Sequence, residues 1–129
     1  MNLGNLNNKK IIFIFIIFFL FSSKLYGANL EGDVVTLGAL DKITAKFSEF
    51  NINVGDAGKF GSLSIEIFKC IKRPPEEIPE DFVLLKIFDE INTDEPKLIF
   101  SGWMLSSSRS LSSLEHPTYD IWIKDCKAM

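Results

Sequence analysis

His116, the chain's single histidine, stands between Glu115 and Pro117, with Tyr119 and Asp120 just beyond it and a serine-rich stretch from Ser106 to Ser113 upstream. These are the residue types of a hydrolase or transferase. A serine oxygen attacks once a histidine takes its proton, and a carboxylate orients the histidine. His116, Asp120 and a serine from that stretch are therefore the catalytic candidates. Against them, no G-x-S-x-G elbow is present, and chain neighbours at the end of a short element seldom converge as a triad. The competing expectation is a histidine that hydrogen-bonds a turn, while Pro117 stiffens the entry to the strand that follows. Gly55-Asp56-Ala57-Gly58-Lys59 has the glycines and lysine of a phosphate loop, but the glycines are too close together and Phe60 stands where Ser or Thr is needed, so a turn is expected. With one histidine and no C-x-x-C, neither a metal site nor a cofactor is expected.

Binding residues are the second set of candidates. Trp103, Tyr119 and Trp122 suit an aromatic platform for an envelope protein or a glycan, or else the core of a small domain. By alternation Trp122 faces away from Tyr119, Ile121 and Ile123, so if those three are buried Trp122 is either covered by a loop or exposed as a contact. Arg73, Glu76 and Glu77 open an acidic, proline-rich segment running to Asp81, which reads as a docking loop or as a solvated connection.

The elements that hold these residues come from the period of the pattern. Ile43, Ala45 and Phe47, then Phe50, Ile52 and Val54 in the opposite phase, read as a strand with a bulge or bend near Ser48 and Glu49. Gly55 to Gly58 should turn that strand into an antiparallel partner at Leu63, Ile65 and Ile67. Pro74, Pro75 and Pro79 keep the acidic loop out of any central ladder. Phe82 to Ile91, nearly continuous in apolar residues, suits a strand covered on both faces, although a short helix fits too. Asn92 to Lys97 reads as a hairpin loop into Leu98 to Leu105, with Gly102 marking a bulge. Leu111 and Leu114, with Ser112 and Glu115 at capping-box spacing, allow one short helix that Pro117 stops. Tyr119 to Lys124 alternates as the last strand. The fold expected is all-β: a single antiparallel β-sandwich or partly open barrel with at most one short helix.

At 129 residues and 14.6 kDa the chain has room for one domain. Lys9 and Lys10 precede eleven unbroken apolar residues, Ile11 to Phe21, and mostly small or polar residues follow to Gly27. That layout is a secretory signal over residues 1–27, which leaves 28–129 as one β-rich domain of the periplasm. The alternative is an uncleaved anchor. An eleven-residue helix reaches only about 16 Å against a hydrocarbon core of about 30 Å, so no stable membrane span is expected. Cleavage after Gly27 would place Leu25 and Gly27 where the peptidase reads. Without Lys9, Lys10 and Lys24, 11 basic residues face 17 acidic ones, a net charge of −6. Such a surface repels phosphate, and nucleic acid is not an expected partner.

Four separated blocks add a resemblance. Val35-Thr36-Leu37-Gly38-Ala39-Leu40-Asp41-Lys42-Ile43-Thr44-Ala45, Cys70-Ile71-Lys72-Arg73-Pro74-Pro75-Glu76, Phe100-Ser101-Gly102-Trp103-Met104 and Leu114-Glu115-His116-Pro117-Thr118-Tyr119-Asp120-Ile121-Trp122 resemble a small exported bacterial family catalogued as domain of unknown function 2155. The resemblance runs from about Asp33 to Cys126. It implies a compact periplasmic domain with the same cysteine pair, and no catalytic assignment.

The functional expectation is a non-enzymatic binding or scaffolding module of the bacterial envelope, with Trp103, Trp122 and the loop from Arg73 as contacts. The rival is the small hydrolase or transferase centred on His116. In an oxidising compartment Cys70 and Cys126 should pair, because a metal site or a reactive thiol has no supporting neighbours. Closing a loop of about 57 residues is expected to stabilise the domain by about 4 kcal/mol. Urea unfolding of the Cys126→Ser variant, compared with the parent without reductant, should show a loss of that order. Equal midpoints would remove the bridge from the stability of the domain.

Overall fold

A computed structural model describes residues 3–23, 27–92, 94–108, 114 and 116–128. The pattern Val35, Leu37, Ala39 buries one side of a strand completely. This strand, β2 (Val34–Asp41), follows the short β1 (Leu30–Glu31) and is the middle of a three-stranded antiparallel sheet. β3 (Lys46–Asn53) pairs one edge of it and β8 (Tyr119–Lys127) the other. Ile121 and Ile123 of β8 and Ile52 of β3 join the same buried layer.

The opposing sheet has five strands. β5 (Leu63–Lys72) is flanked on one side by β4 (Ala57–Phe60) and β1, and on the other by β6 (Asp81–Asp89), which pairs β7 (Lys97–Leu105). Its inward side chains, Leu63, Ile65, Ile67, Val83, Leu85, Ile87 and Met104, are at most 1% exposed and meet the small sheet face to face. The result is an open antiparallel β-sandwich, not a closed barrel, and its core lies wholly within Val35–Cys126.

Several local expectations change. Ile43 to Ala45 is not strand. The carboxylate of Asp41 accepts the N–H groups of Ile43 (2.9 Å) and Thr44 (3.2 Å), so the chain turns there and Ile43 is 78% exposed. The phase slip between Phe47 and Phe50 then needs no bulge: β3 is paired to β2 without interruption, with Phe47 outward and Phe50 inward. Gly55 and Asp56 do not join an antiparallel pair, because β3 and β5 lie in different sheets. The hairpin is β4–β5, closed at Gly61 and Ser62, where Gly61 takes φ +57° and a Cβ would overlap the Tyr119 ring. The bulge in β7 falls at Ile99, not at Gly102. The hairpin from β6 into β7, the proline loop outside the ladders and the last strand stand as expected.

Residues Leu3–Leu20 form one helix, α1, whose described side chains are exposed. Among the described residues no helix is long and apolar enough to cross a membrane. The capping-box helix at Leu111 to Glu115, and Leu25 at the expected cleavage site, lie outside the described residues, apart from Leu114, which is buried in the core.

Outside the small sheet the Trp122 ring lies on the backbone of Gly38, its cross-strand neighbour, where any Cβ would overlap it. Gly38→Ala should therefore destabilise the domain by about 1–3 kcal/mol. Adding Trp122→Ala should recover part of that loss. Urea midpoints of the two single variants and the double variant check this, and strict additivity would contradict the contact.

Candidate functional site

His116 lies at the entrance to β8 and is held on three sides. Its Nδ1 accepts the backbone N–H groups of Thr118 (3.1 Å) and Tyr119 (3.2 Å). Nε2 is 3.1 Å from Oδ2 of Asp89, the last residue of β6. Since Nδ1 accepts, the proton sits on Nε2 and is donated to that carboxylate. Its ring stacks on Tyr119 at 5.3 Å. The His116 carbonyl accepts from Lys42 Nζ at 2.7 Å, so the turn after β2 is pinned at the same point.

This geometry opposes a triad. Both ring nitrogens are occupied, and the carboxylate that would orient the base is hydrogen-bonded to Ser62 on its own account. Asp120 pairs with Lys42 at 3.0 Å and takes no part in the histidine's bonds. Ser106 and Ser107 both donate to Glu80, whose carboxylate also accepts the Ser107 N–H. Glu80 adjoins the start of β6, and Asp89 is its end. A nine-residue strand separates them by about 26 Å, so these serines and His116 lie at opposite ends of the sandwich. Ser110, Ser112 and Ser113 are outside the described residues. Asp89 as the histidine's partner was not legible in the sequence, because the two stand 27 positions apart in the chain.

The other end of the sandwich carries the disulfide. Cys70 of β5 and Cys126 of β8 are bonded, their Cα atoms 5.9 Å apart, and both are buried. Beside them Lys72 Nζ lies 2.7 Å from Asp125 and 3.6 Å from Asp81, and donates to the Cys126 carbonyl at 3.2 Å. The bond to Asp125 holds the Lys72 ammonium above its ordinary value. Burial pushes the Asp81 carboxyl up, and the Lys72 charge opposes that rise. Among the described residues no group of three or more His, Cys, Asp or Glu is placed to hold a metal ion.

Of the expected binding residues, Trp103, Arg73 and Glu77 come together on the outer face of the large sheet. Its cross-strand rows are Ile71–Phe82–Leu105, Lys69–Leu84–Trp103 and Glu66–Lys86–Ser101. Phe68 is the extra residue of the bulge in β5, with Lys86 Nζ 5.6 Å from its ring centre. The Arg73 guanidinium lies 5.4 Å over Phe82 and 4.0 Å from Glu77. Asn29, Ile71, Phe82 and Trp103 line a shallow concavity of about 320 Å³. Trp103 is 42% exposed and Phe68 48%. Outward positions of an antiparallel sheet are ordinarily polar, and here most are large and apolar. The nearly continuous apolar run that begins at Phe82 is thus explained by half: Val83, Leu85 and Ile87 face the core, while Phe82, Leu84 and Phe88 face out and are not packed against it.

Trp122 belongs to the opposite side of the molecule. It stacks with Phe47 at 5.8 Å, and Phe47 is capped by Lys124, itself paired to Glu49 at 2.9 Å. Trp103 and Trp122 therefore do not share a contact surface. The Glu76 carboxylate lies beside Gly27 and is not the partner of Arg73 in the Arg73–Glu77 pair.

A family model described as an uncharacterized protein conserved in bacteria, DUF2155, matches residues 35–126. The chain is 42% identical over 88 residues to an uncharacterized protein of Rickettsia prowazekii (strain Madrid E), a match that covers 68% of this chain and 57% of that protein. No solved structure matches.

The His116 bond holds the Asp89 carboxyl below its usual range, with burial opposing. A carboxyl lowered in the folded state stabilises above its unfolded value of 3.8 and loses that contribution as pH falls through the folded value. His116→Ala should cost about 1–3 kcal/mol at neutral pH. Asp89→Asn should flatten the fall in urea midpoint below about pH 4. An unchanged acid limb in Asp89→Asn would contradict the clamp.

Proposed function

The chain belongs to a family of uncharacterized proteins conserved in bacteria, and within it we propose that this protein is an exported, non-enzymatic binding or scaffolding module of the bacterial envelope. The observation that carries the reading is the outer face of the large sheet. Burying a half-exposed Trp or Phe against a partner is worth on the order of 1–2 kcal/mol each. A chain that places Phe68, Phe82, Leu84 and Trp103 together on a solvent-facing surface has a surface suited to a partner. A broad apolar face of this kind favours a protein partner over a glycan, which needs more polar groups around its aromatic platform.

Export is supported by the order of charge, apolar run and small residues in 1–27. The bonded pair Cys70–Cys126 suits the oxidising periplasm. The chemical alternative finds no support at His116, where both nitrogens serve the fold.

Affinity capture from envelope extract, with the parent compared with Trp103→Ser and Trp122→Ala, tests the reading. A companion recovered by the parent and by Trp122→Ala, and reduced at least tenfold by Trp103→Ser, is the expected outcome, since one central aromatic is worth about 2 kcal/mol in an interface. Equal recovery by all three would remove the large sheet's outer face from the contact.

A further inference from the structure

The outer face of the large sheet has a charge pattern as well as an apolar one. Around Phe82, Leu84, Trp103 and Leu105 stand three cations, Lys69, Arg73 and Lys86, and three anions, Glu31, Glu66 and Glu77. Lys69 reaches Glu31 at 3.3 Å, and Glu66 is the cross-strand neighbour of Lys86. The 28–129 segment carries a net charge of −6, yet this face is balanced. A strongly acidic or strongly basic partner gains nothing net from such a rim. A surface with the same alternating signs does, and self-complementarity is what an isologous contact demands.

We propose that this face docks on the same face of a second copy of the chain, forming a two-fold pair. The inference rests on the docking role proposed above and names its occupant. A two-fold axis lying in the face, across the strands between the first two rows, exchanges those rows. Phe82 then meets Leu84 of the other copy, and Leu105 meets Trp103. The next positions outward are the Glu66 row at one end and Arg73 at the other. The same rotation sets Glu66 of each copy opposite Arg73 of its mate, twice over. Four strands about 4.8 Å apart, over about 20 Å of their length, make roughly 400 Å² per copy. That is roughly 800 Å² in total, below the roughly 1,000 Å² that a stable specific interface clears, so the pair is a weak and transient one, with a dissociation constant on the order of tens of micromolar.

The segment 28–129 serves for the test, because no described side chain of α1 contributes to the core. Sedimentation equilibrium from about 1 µM to about 500 µM, spanning the expected constant, should show monomer passing to dimer. Trp103→Ser should raise the dissociation constant at least tenfold, and Arg73→Glu should do the same. The double variant Arg73→Glu with Glu66→Arg should restore pairing, which a merely unfolded variant cannot do; circular dichroism confirms that each is folded. A monomer throughout the range, a dimer indifferent to Trp103→Ser, or a charge swap that fails to restore pairing overturns the proposal. So does a monomer that instead floats with phosphatidylethanolamine–phosphatidylglycerol vesicles, which would make the occupant a lipid surface. A monomer that still captures an envelope companion through Trp103 overturns the pair alone and leaves the docking role standing.

Discussion

The molecule is organised by how β8 is tied to a sheet in which it has no hydrogen-bonded neighbour. Among the described residues its only ladder partner is β2, so its attachment to the large sheet depends on side chains. At its far end Cys126 is bonded to Cys70 of β5. At its entrance His116 donates to Asp89 of β6 while accepting the N–H groups that begin the strand. Between the two ties Ile121 and Ile123 are buried against the large sheet's inner face. A sandwich whose layers meet only through apolar contact can slide, since those contacts have no direction. Two directional ties at opposite ends set the register of one layer on the other.

That constraint accounts for what happens to the polar residues that looked chemical. The histidine is spent on the backbone and on Asp89, and Ser106 and Ser107 hold Glu80 at the other end of β6. Burial would raise the Glu80 carboxyl, but bonds from Ser107 and Ser106 and the Arg73 charge outweigh it and hold the group below its usual range. The Lys72, Asp81 and Asp125 cluster likewise seals the disulfide end. The chain's buried polar chemistry is thus concentrated where the sandwich would otherwise open.

The two outer faces of the sandwich differ. The small sheet's outer aromatic, Trp122, is accommodated by the absence of a side chain on Gly38 and covered by Phe47. On the large sheet's outer face Phe82 is covered by Arg73, whereas Trp103 and Phe68 stand half exposed beside paired charges.

How much of this was legible in the residues follows from the range of each interaction. Alternation at Leu63 to Ile67 and Tyr119 to Lys124, the hairpin chemistry of Asn92 to Lys97 and the proline loop are local, and they determined the β class and most strand positions. Local pattern misled where two local signals competed: Ile43, Ala45 and Phe47 alternate as a strand would, yet the Asp41 carboxylate bends the backbone beneath them. It could not say which sheet a strand joins, so Gly55 to Gly58 read as a hairpin when the chain was crossing between layers. The sequence by itself determined β5 to β8 and the later part of β3, the cysteine pair and the surplus of large apolar residues in β6, but not the central β2 or the short β1 and β4. Only the tertiary structure decided that Asp89 answers His116, that Trp103 and Trp122 part to opposite sides, and that half of β6's apolar residues face solvent, because each is a contact between residues distant in the chain, set by how two twisted sheets stack.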